Sequence, residues 1–420
     1  MDTARRGLLL LTNVYPFDKG EEFLENEIQA LTGAFDTVVV AACQTSDDSV
    51  QTRTLPAGVR ALRARGRRPS GAQAVLATSR GGLLLLRQRF HPLDGMDPRH
   101  AAMDAQFEAR AQAVVAELSG QLDQLGLDEL GSLVIYAYWL HLPARAGMLL
   151  AGQICRQYPR LQQIRLVSRA HRYDLYEDAA PLGHIPLRTT LLDAYDAIHP
   201  VSDDGTRHLQ QRHPRFAHKV STRRLGTPDP GELVKTSREP FHVVSCSFVL
   251  PVKRVDRFAG VLQLLQEEDI DVKWTHFGSG EDLAQVRARA VELLGAEAVE
   301  MPGYVRNTEL AQRYREIRPS VFVNLSESEG LPVSIMEAAA LGLPVVATDV
   351  GGVRELVGSS NGGLLASDFT DRQAAEALLR LVRMPEQDYR ETCIGSRRLW
   401  EQQFAKDVVY PAFAAELAAR

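Results

Sequence analysis

The stretch VFVNLSESEGLPVSIMEAAALGLPVVATDVGGVRELV, residues 321–357, decides the fold. Its first apolar run, 321–325, predicts a buried strand, and the polar loop 326–330 follows it. A proline after this loop favours a helix start, so we predict a helix over 333–341 with Gly342 closing its carboxyl end. A second apolar strand comes next. This order is typical of one β-α-β unit in a parallel sheet.

Two carboxylates, Glu329 and Glu337, stand in this unit. Glu329 lies in the loop at the carboxyl end of the strand, where open α/β sheets bind ligands. Glu337 lies just over one turn into an apolar helix and therefore needs a polar partner. The helix N-terminus favours phosphate, whereas carboxylates favour the hydroxyls of a sugar or ribose. The β-α-β unit therefore predicts a ligand that carries both phosphate groups and hydroxyl groups. In the alternative interpretation, Glu337 is a surface residue or helix-dipole partner and Glu329 an ordinary loop charge.

Short apolar runs alternate with helical patterns along the whole chain. The predicted buried strands are 7–12, 37–42, 132–137, 164–168, 242–247, 272–277, 321–325 and 344–348. Such unalternated runs fit strands covered on both faces, and helical connections between them imply parallel sheets. One segment rich in proline and glycine, 226–240, interrupts the pattern. It predicts a linker between two α/β halves.

Length and composition limit the class of protein. A chain of 420 residues is too long for one ordinary core, and 45% hydrophobic with 24% charged residues is a globular balance. The net charge of −5 gives no argument for nucleic acid. Four widely spaced cysteines predict reduced thiols, and the first apolar run is too short for a secretory signal. We therefore expect a cytoplasmic protein, which could act at the inner face of the membrane.

Residues 51–110 differ from the rest of the chain. They contain eleven arginines against Asp94, Asp97, Asp104 and Glu108. One interpretation is a solvated helical excursion. The other is a basic, partly apolar surface that rests on anionic lipid, as a peripheral membrane contact would.

The spacing from Glu329 to Glu337, with the flanks SESEGLPVSIMEAAALGLPVVATDVGG, resembles the E-x(7)-E motif of the retaining glycosyltransferases of family 4. These enzymes have the α/β GT-B fold, in which two Rossmann-like parallel-sheet domains face each other across a deep cleft. The resemblance covers most of the chain. It implies an acceptor-side domain over 1–228, onto which a C-terminal helix at 397–420 packs back, and a nucleotide-sugar-binding domain over 238–396.

The resemblance also implies roles for individual residues. Glu329 would contact the transferred sugar and Glu337 the ribose hydroxyls. The backbone amides of Gly330 and Leu331 would meet the sugar and the diphosphate. Lys253, in the segment VSCSFVLPVKRVDRF, stands where the family has a diphosphate-binding lysine.

The chain departs from the family pattern five positions before this lysine. The family usually has an arginine there, and this chain has Phe248. Arg254 or Arg224 would then have to supply a second cation. Further residues match segments that approach the donor or acceptor in the family. They are Gly20 near the diphosphate, His171 near the reacting sugar, Gly278, Gly303 and Val305 near the nucleotide, and the weaker landmarks Ser202 and Gly226.

The implied activity is retaining transfer of a sugar from a nucleotide-diphosphate sugar to an unidentified acceptor, such as a lipid-linked glycan. It would need no cofactor and no metal, since Lys253 and the helix N-terminus supply positive charge. A sugar-nucleotide epimerase or a phosphorylase on the same fold is the alternative enzyme. A catalytically inactive partner protein is the third interpretation, which the substitution at Phe248 keeps open.

Overall fold

The computed structural model of the protein describes residues 5–66, 72–87 and 97–419. The chain divides into two compact units. These are Met1–Arg224 with Tyr410–Arg420, and Leu225–Val409. Each unit is built on one six-stranded sheet whose strands pair in parallel.

The first unit has the strand order β3-β2-β1-β4-β5-β6. Its strands are β1 (Arg5–Thr12), β2 (Thr37–Ala42), β3 (Arg60–Arg63), β4 (Leu130–Ala137), β5 (Gln163–Ala170) and β6 (Ala197–Pro200). Its helices are α1 (Leu24–Ala34), α2 (Ala72–Arg87), α3 (Pro98–Ser119), α4 (Leu142–Gln157), α5 (Arg188–Ala194) and α6 (Asp203–Arg212).

The second unit has the strand order β12-β11-β10-β7-β8-β9. Its strands are β7 (Phe241–Cys246), β8 (Val272–Phe277), β9 (Val299–Gly303), β10 (Val321–Asn324), β11 (Val345–Thr348) and β12 (Gly362–Leu365). The helices that follow α6 along the chain are α7 (Phe258–Gln266), α8 (Leu283–Leu294), α9 (Asn307–Ile317), α10 (Val333–Ala340), α11 (Asp371–Val382), α12 (Glu386–Gln403) and α13 (Lys406–Ala418).

The unit boundaries differ in detail from those that the sequence implied. The chain returns to the first unit at Tyr410, within α13, rather than near 397. The predicted linker 226–240, which the structure describes completely, contains no helix or strand and belongs to the second unit. It is anchored there by the buried side chain of Val234.

The strand predictions are confirmed at the centre of each sheet. All eight predicted strands exist, and β2 and β8 have the predicted bounds. The four strands that the sequence analysis missed, β3, β6, β9 and β12, are the two edges of each sheet. Edge strands are short and partly exposed, so their sequences need not be continuous apolar runs.

The strand order reverses once in each sheet. The first sheet grows outward from β1 to β3, and the chain then returns to place β4 on the other side of β1. In the second sheet the chain grows outward from β7 to β9 and then returns to place β10 on the other side of β7. The loops that leave the carboxyl ends of two such neighbouring strands diverge, which opens a crevice where ligands bind in folds of this class.

Part of the segment 51–110 fits the solvated helical excursion that one interpretation predicted, because Val75, Leu76 and Leu83 of α2 are exposed. Its last part belongs to α3, which buries Asp104, Phe107 and Glu108 against the first unit. Arg110 is also buried and donates through Nε to the carbonyl oxygen of Gly66 at 3.0 Å. These charged side chains are therefore structural members of the core.

The peripheral membrane contact of this segment stays a prediction. The last three residues of the basic run 63–69 lie outside the described residues, as do 88–96. Among the described arginines, Arg53 pairs with Glu22 and Glu25, and Arg65 pairs with Asp47 and Glu117. These pairs reduce the positive charge that the segment could offer to anionic lipid.

A buried ion pair joins α3 to α4. Arg145 Nε lies 2.7 Å from Glu108 Oε2, and both side chains are fully buried. Replacing Glu108 by alanine leaves an uncompensated buried guanidinium, so we expect the free energy of unfolding to fall by about 3–5 kcal/mol. Urea denaturation measures this change.

The control for this prediction is Glu292→Ala, which removes the exposed ion pair between Arg289 and Glu292. Exposed pairs of this kind contribute about 0–1 kcal/mol. Equal losses in the two variants would show that the pair between α3 and α4 has no special structural role.

Candidate functional site

Lys253 and Glu329 form an ion pair at the point where the second sheet reverses its strand order. Lys253 follows β7 and Glu329 follows β10, which are neighbours in the sheet. Lys253 Nζ lies 2.6 Å from Glu329 Oε1, and the Glu329 side chain is only 8% exposed. Because open α/β sheets bind ligands outside the carboxyl ends of strands at this point, the pair marks the candidate site.

Hydrogen bonds hold the two loops of this site together. The N–H of Glu327 donates to the carbonyl oxygen of Val252 at 2.8 Å, next to Lys253. Asn324, the last residue of β10, donates through Nδ2 to Glu329 Oε1 at 3.2 Å. Sequence analysis did not select Asn324, although a buried amide at the end of an apolar strand needs a partner and is itself a signal.

A pair of glycines, Gly351 and Gly352, packs against the same loop. The N–H of Gly352 donates to the carbonyl oxygen of Gly330 at 2.8 Å. Gly351 has φ +54°, and a Cβ there would lie 2.0 Å from the carbonyl oxygen of Glu329. Only glycine allows this approach, so the pair fixes the path of the loop that carries Glu329.

Helix α10 begins beside the ion pair. It starts at Val333 after Pro332, and no side chain of the described residues caps it. Gly330 and Leu331, the predicted backbone contacts of the donor, directly precede it and are buried. Unpaired N–H groups and the positive end of the helix dipole favour an anion there. Together with Lys253, this terminus can hold phosphate.

Glu337 lies in the second turn of α10 and is half-buried. Its Oε1 atom accepts a hydrogen bond from Nδ2 of Asn307, the first residue of α9, at 3.3 Å. Burial raises the pKa of the Glu337 carboxyl to about 7. Burial, and then the charge of Glu337, raise the pKa of the nearby Cys246 thiol to about 12. Hydroxyl groups that donate to Glu337 would stabilise its charged form.

The other predicted residues of the second unit lie at the same edge of the sheet. Gly278 follows β8, Gly303 ends β9, and Val305 comes two residues later. The N–H of Gly278 donates to the carbonyl oxygen of Gly303 at 2.9 Å. A Cβ on Gly278 would lie 1.7 Å from the carbonyl oxygen of Ser247, so glycine is required there for packing alone.

The structure does not bring Arg254 to the pair of Lys253 and Glu329. Arg254 Nη1 donates to the carbonyl oxygen of Ser367 at 2.8 Å, and Nη2 lies 3.9 Å from Glu327. Phe248, at the position where the family usually has arginine, is 62% exposed. Lys253 is thus the cation that the described contacts place on Glu329.

The weaker landmarks have structural roles. Ser202 caps α6 through its side chain. Arg224, the other proposed source of a second cation, donates to Asp203 Oδ2 at 2.5 Å within the first unit. Gly226 lies where a Cβ would be 2.8 Å from Cα of Lys406. Helix capping thus accounts for Ser202, an ion pair for Arg224, and close backbone packing for Gly226.

In the first unit, Glu21 organises the loop that follows β1. Its carboxylate accepts hydrogen bonds from the three successive backbone N–H groups of residues 13–15 at 2.7–2.9 Å, and from the indole N–H of Trp139. The adjacent Gly20 has φ +110°, and its N–H donates to Glu22. Sequence analysis selected Gly20 and missed Glu21, because a glutamate in a polar loop carries no sign of burial.

His171 follows β5 and packs among aromatic rings. Its ring centroid lies 4.3 Å from that of Trp139 and 4.8 Å from that of Tyr138. Nδ1 lies 3.8 Å from Asp174 Oδ2, and Nε2 has no hydrogen-bond partner among the described residues. Although burial opposes it, interaction with His171 holds the pKa of Asp174 below its ordinary value.

Asp174 therefore fixes the position of His171. Its Oδ1 atom accepts a hydrogen bond from the backbone N–H of His171 at 2.8 Å, and Oδ2 accepts one from the N–H of Leu140 at 2.9 Å. The aspartate comes three residues after the histidine, and sequence analysis missed it. Asp174 bridges the segments that follow β4 and β5. From the sequence alone it cannot be distinguished from an exposed aspartate in a loop, because the pairing of the two strands is not known.

Neither a metal-ligand cluster nor a membrane-spanning helix occurs in the described part of the chain. No group of three or more His, Cys, Asp or Glu side chains there could hold a metal ion, and no helix there is long and apolar enough to cross a membrane. Metal independence stays a prediction.

We expect Glu21→Gln to destabilise the first unit by about 2–4 kcal/mol. Each carboxylate oxygen of Glu21 accepts two hydrogen bonds, and an amide NH₂ in place of either oxygen would face two donors. Chemical denaturation measures the loss. Glu22→Gln is the control at the adjacent, partly exposed glutamate. A loss no larger than that of the control would contradict the role of Glu21.

We expect Glu337→Gln to stabilise the protein at pH 8 by about 1–3 kcal/mol. Because burial raises the pKa of Glu337 from 4.5 to about 7, its contribution to stability is present below pH 4.5 and is lost as the pH rises through 7. Glutamine cannot ionise, so the variant avoids this loss. Urea denaturation at pH 8 and pH 5.5 should show a smaller difference at pH 5.5. The control is the exposed Glu297→Gln; a pH-independent difference would contradict the prediction.

The candidate site of the second unit lies within a segment that matches a known protein family. The family described as Glycosyl transferases group 1 matches residues 234–398. The chain is 26% identical over 235 residues to the putative colanic acid biosynthesis glycosyltransferase WcaL of Escherichia coli, a match that covers 53% of this chain and 57% of WcaL. The chain spans about half the length of the curated relatives it matches.

Solved structures resemble the chain over nearly its full length. Sucrose-phosphate synthase from Thermosynechococcus elongatus matches with a TM-score of 0.69 and 15% identity, over 99% of this chain and 100% of that one. HepE from Anabaena, in complex with UDP and glucose, matches with a TM-score of 0.66 and 16% identity, over 98% and 99% of the two chains. Residues 234–398 therefore resemble the Glycosyl transferases group 1 family, and the chain has the GT-B fold that its sequence predicted.

Proposed function

We propose that the protein is a glycosyltransferase that moves a sugar from a nucleotide-diphosphate donor to a glycan acceptor. The observation that carries this proposal is the contact of Lys253 with Glu329 beside the uncapped start of α10. Lys253 and the N-terminus of α10 would form a binding site for phosphate. Glu329 and Glu337 would accept hydrogen bonds from hydroxyl groups. A nucleotide sugar carries both kinds of group.

On the donor side, the second unit would bind the nucleotide and stabilise the leaving group. Negative charge grows on the diphosphate as the bond to the sugar breaks, and Lys253 with the α10 N-terminus would stabilise that charge. Glu337 would accept hydrogen bonds from the ribose. Because its carboxyl has a pKa of about 7, donor binding should strengthen as the pH rises through neutrality and the carboxylate forms.

On the sugar side, Glu329 would bind hydroxyls of the transferred sugar, and His171 would contact that sugar or the acceptor. We propose transfer with retention of the anomeric configuration. The bond from the anomeric carbon to the diphosphate oxygen breaks, and a bond to the acceptor oxygen forms on the same face. The proton of the acceptor hydroxyl passes to the leaving phosphate oxygen, so no protein base is assigned. We also propose that the reaction needs no metal.

The acceptor class proposed is a growing polysaccharide or its lipid-linked precursor. The support is that WcaL is named as a glycosyltransferase of colanic acid biosynthesis. UDP and UDP-glucose are the first donor probes, because HepE was solved with UDP and glucose.

Lys253→Ala should lower turnover by about 10²–10³, the loss typical of removing one group that stabilises developing charge. Release of nucleoside diphosphate from a panel of nucleotide sugars, with glycan and lipid-linked acceptors, measures turnover. The control is Lys273→Ala, an exposed lysine on β8 of the same unit. Turnover of Lys253→Ala within twofold of the control would contradict the assignment.

The alternatives give different products in the same assay. An epimerase converts the nucleotide sugar with no acceptor present, and a phosphorylase requires inorganic phosphate and yields a sugar phosphate. An inactive partner protein binds UDP in calorimetry but turns over no donor. The anomeric configuration of the product, read by NMR, tests retention.

A further inference from the structure

A cavity of about 210 Å³ lies at the carboxyl edge of the first sheet. One wall is formed by α3, another by the segment 179–186. His141, which follows β4, and Tyr173, which follows β5, complete it. The cavity lies wholly within the first unit. Neither the sequence motifs nor the family match, which covers 234–398, assigns it a ligand.

The walls combine aromatic side chains with polar groups. Phe107 and His141 meet edge to face with ring centroids 4.8 Å apart, and His141 meets Tyr173 in the same way at 5.5 Å. Gln106 and Arg110 add polar atoms from α3. Sugar C–H groups, which carry slight positive charge, pack on the electron-rich faces of aromatic rings, while sugar hydroxyls need polar partners. A pyranose ring matches such a wall.

The charged groups of the cavity are already engaged, which argues against an anionic ligand. Arg110 donates through Nη2 to Gln44 at 2.9 Å and through Nε to the backbone of Gly66 at 3.0 Å. His184 Nε2 lies 2.7 Å from Asp104 Oδ1. A phosphate in the cavity would have to compete with these partners, whereas a neutral sugar would not.

The size of the cavity matches one sugar ring. Its volume is about seven times the volume that one water molecule occupies in liquid water. It is large enough for a single ring with its hydroxyls.

A continuous series of rings connects the cavity to His171. The Trp139 ring lies 4.3 Å from His171 on one side and 4.9 Å from Tyr173 on the other, measured between centroids. Tyr173 is itself a wall of the cavity, and its hydroxyl accepts a hydrogen bond from Asn13 at 2.8 Å. The cavity is therefore two aromatic side chains away from the histidine assigned to the reacting sugars.

We propose that this cavity is an acceptor subsite that binds one neutral pyranose ring of the acceptor glycan, next to the unit that receives the new sugar. The proposal rests on the glycosyltransferase function in calling the ligand an acceptor. The binding of a pyranose in the cavity is testable without that function, because it needs neither donor nor turnover.

The test measures, by saturation-transfer NMR, whether the protein binds methyl pyranosides. The probes are the methyl pyranosides of glucose, galactose, mannose, fucose and N-acetylglucosamine. We expect at least one to bind the wild-type protein with a millimolar dissociation constant. Ala180→Trp should weaken that binding at least tenfold by filling the cavity. Ala180 has an extended backbone, with φ −98° and ψ 146°, so a larger side chain introduces no backbone strain.

Two further variants make the result interpretable. Ala180→Leu fills less of the cavity and should give an intermediate loss if Ala180→Trp folds poorly. Ala57→Trp, at an exposed loop alanine of the same unit, should bind as the wild type does. Binding of no pyranoside, binding unchanged in both Ala180 variants, or binding of 1-octanol in place of the pyranosides would overturn the proposal.

UDP binding measured by calorimetry in the same samples separates this proposal from the proposed function. The Ala180 variants should bind UDP as the wild type does, since Ala180 lies outside the second unit. A wild-type protein that binds a pyranoside in the cavity but no UDP would contradict the donor assignment and leave the sugar site established.

Discussion

The reversal of strand order in each sheet is the constraint on which the rest of the structure depends. Each crossover connection places the next parallel strand beside the previous one, so successive strands are added on one side of the first strand of the sheet. The chain then returns and adds the remaining strands on the other side of that first strand. In the second sheet this return puts β7 next to β10. The loops after these two strands carry Lys253 and Glu329, which are 76 residues apart in sequence. Their contact of 2.6 Å follows from the topology.

The ion pair also sets what the site can do before a ligand enters. Glu329 neutralises Lys253, so that a nearly buried carboxylate and a partly buried ammonium group stabilise each other. A diphosphate adds a second anion for the same cation. The carboxylate can then accept hydrogen bonds from hydroxyls, and the N-terminus of α10 provides the remaining positive potential. In the proposed function Lys253 would be the one cation of this arrangement, since Phe248 stands where the resemblance implies a second.

The sequence predicted what depends on local patterns and missed what depends on neighbours in space. Central strands such as β2 and β8 are apolar throughout because both faces are covered, so their bounds were predictable. The edge strands have one open side and no such pattern. In the site, the motif identified Glu329 and Glu337 from their spacing. Asn324, at the end of an apolar strand, could be suspected of needing a polar partner, but its contact with Glu329 depends on the fold of the loop and was not predictable.

The two units share a topology but use the carboxyl ends of their central strands differently. In the first unit, the backbone N–H groups after β1 are occupied by the carboxylate of Glu21, a member of the same chain. An anion that approached these groups would have to displace a buried carboxylate. In the second unit, no described side chain caps α10, and the carboxylate of Glu329 is held by Lys253 instead. The same fold thus occupies one group of backbone N–H groups internally and leaves the start of α10 uncapped among the described residues, which is the physical reason for assigning phosphate recognition to the second unit in the proposed function.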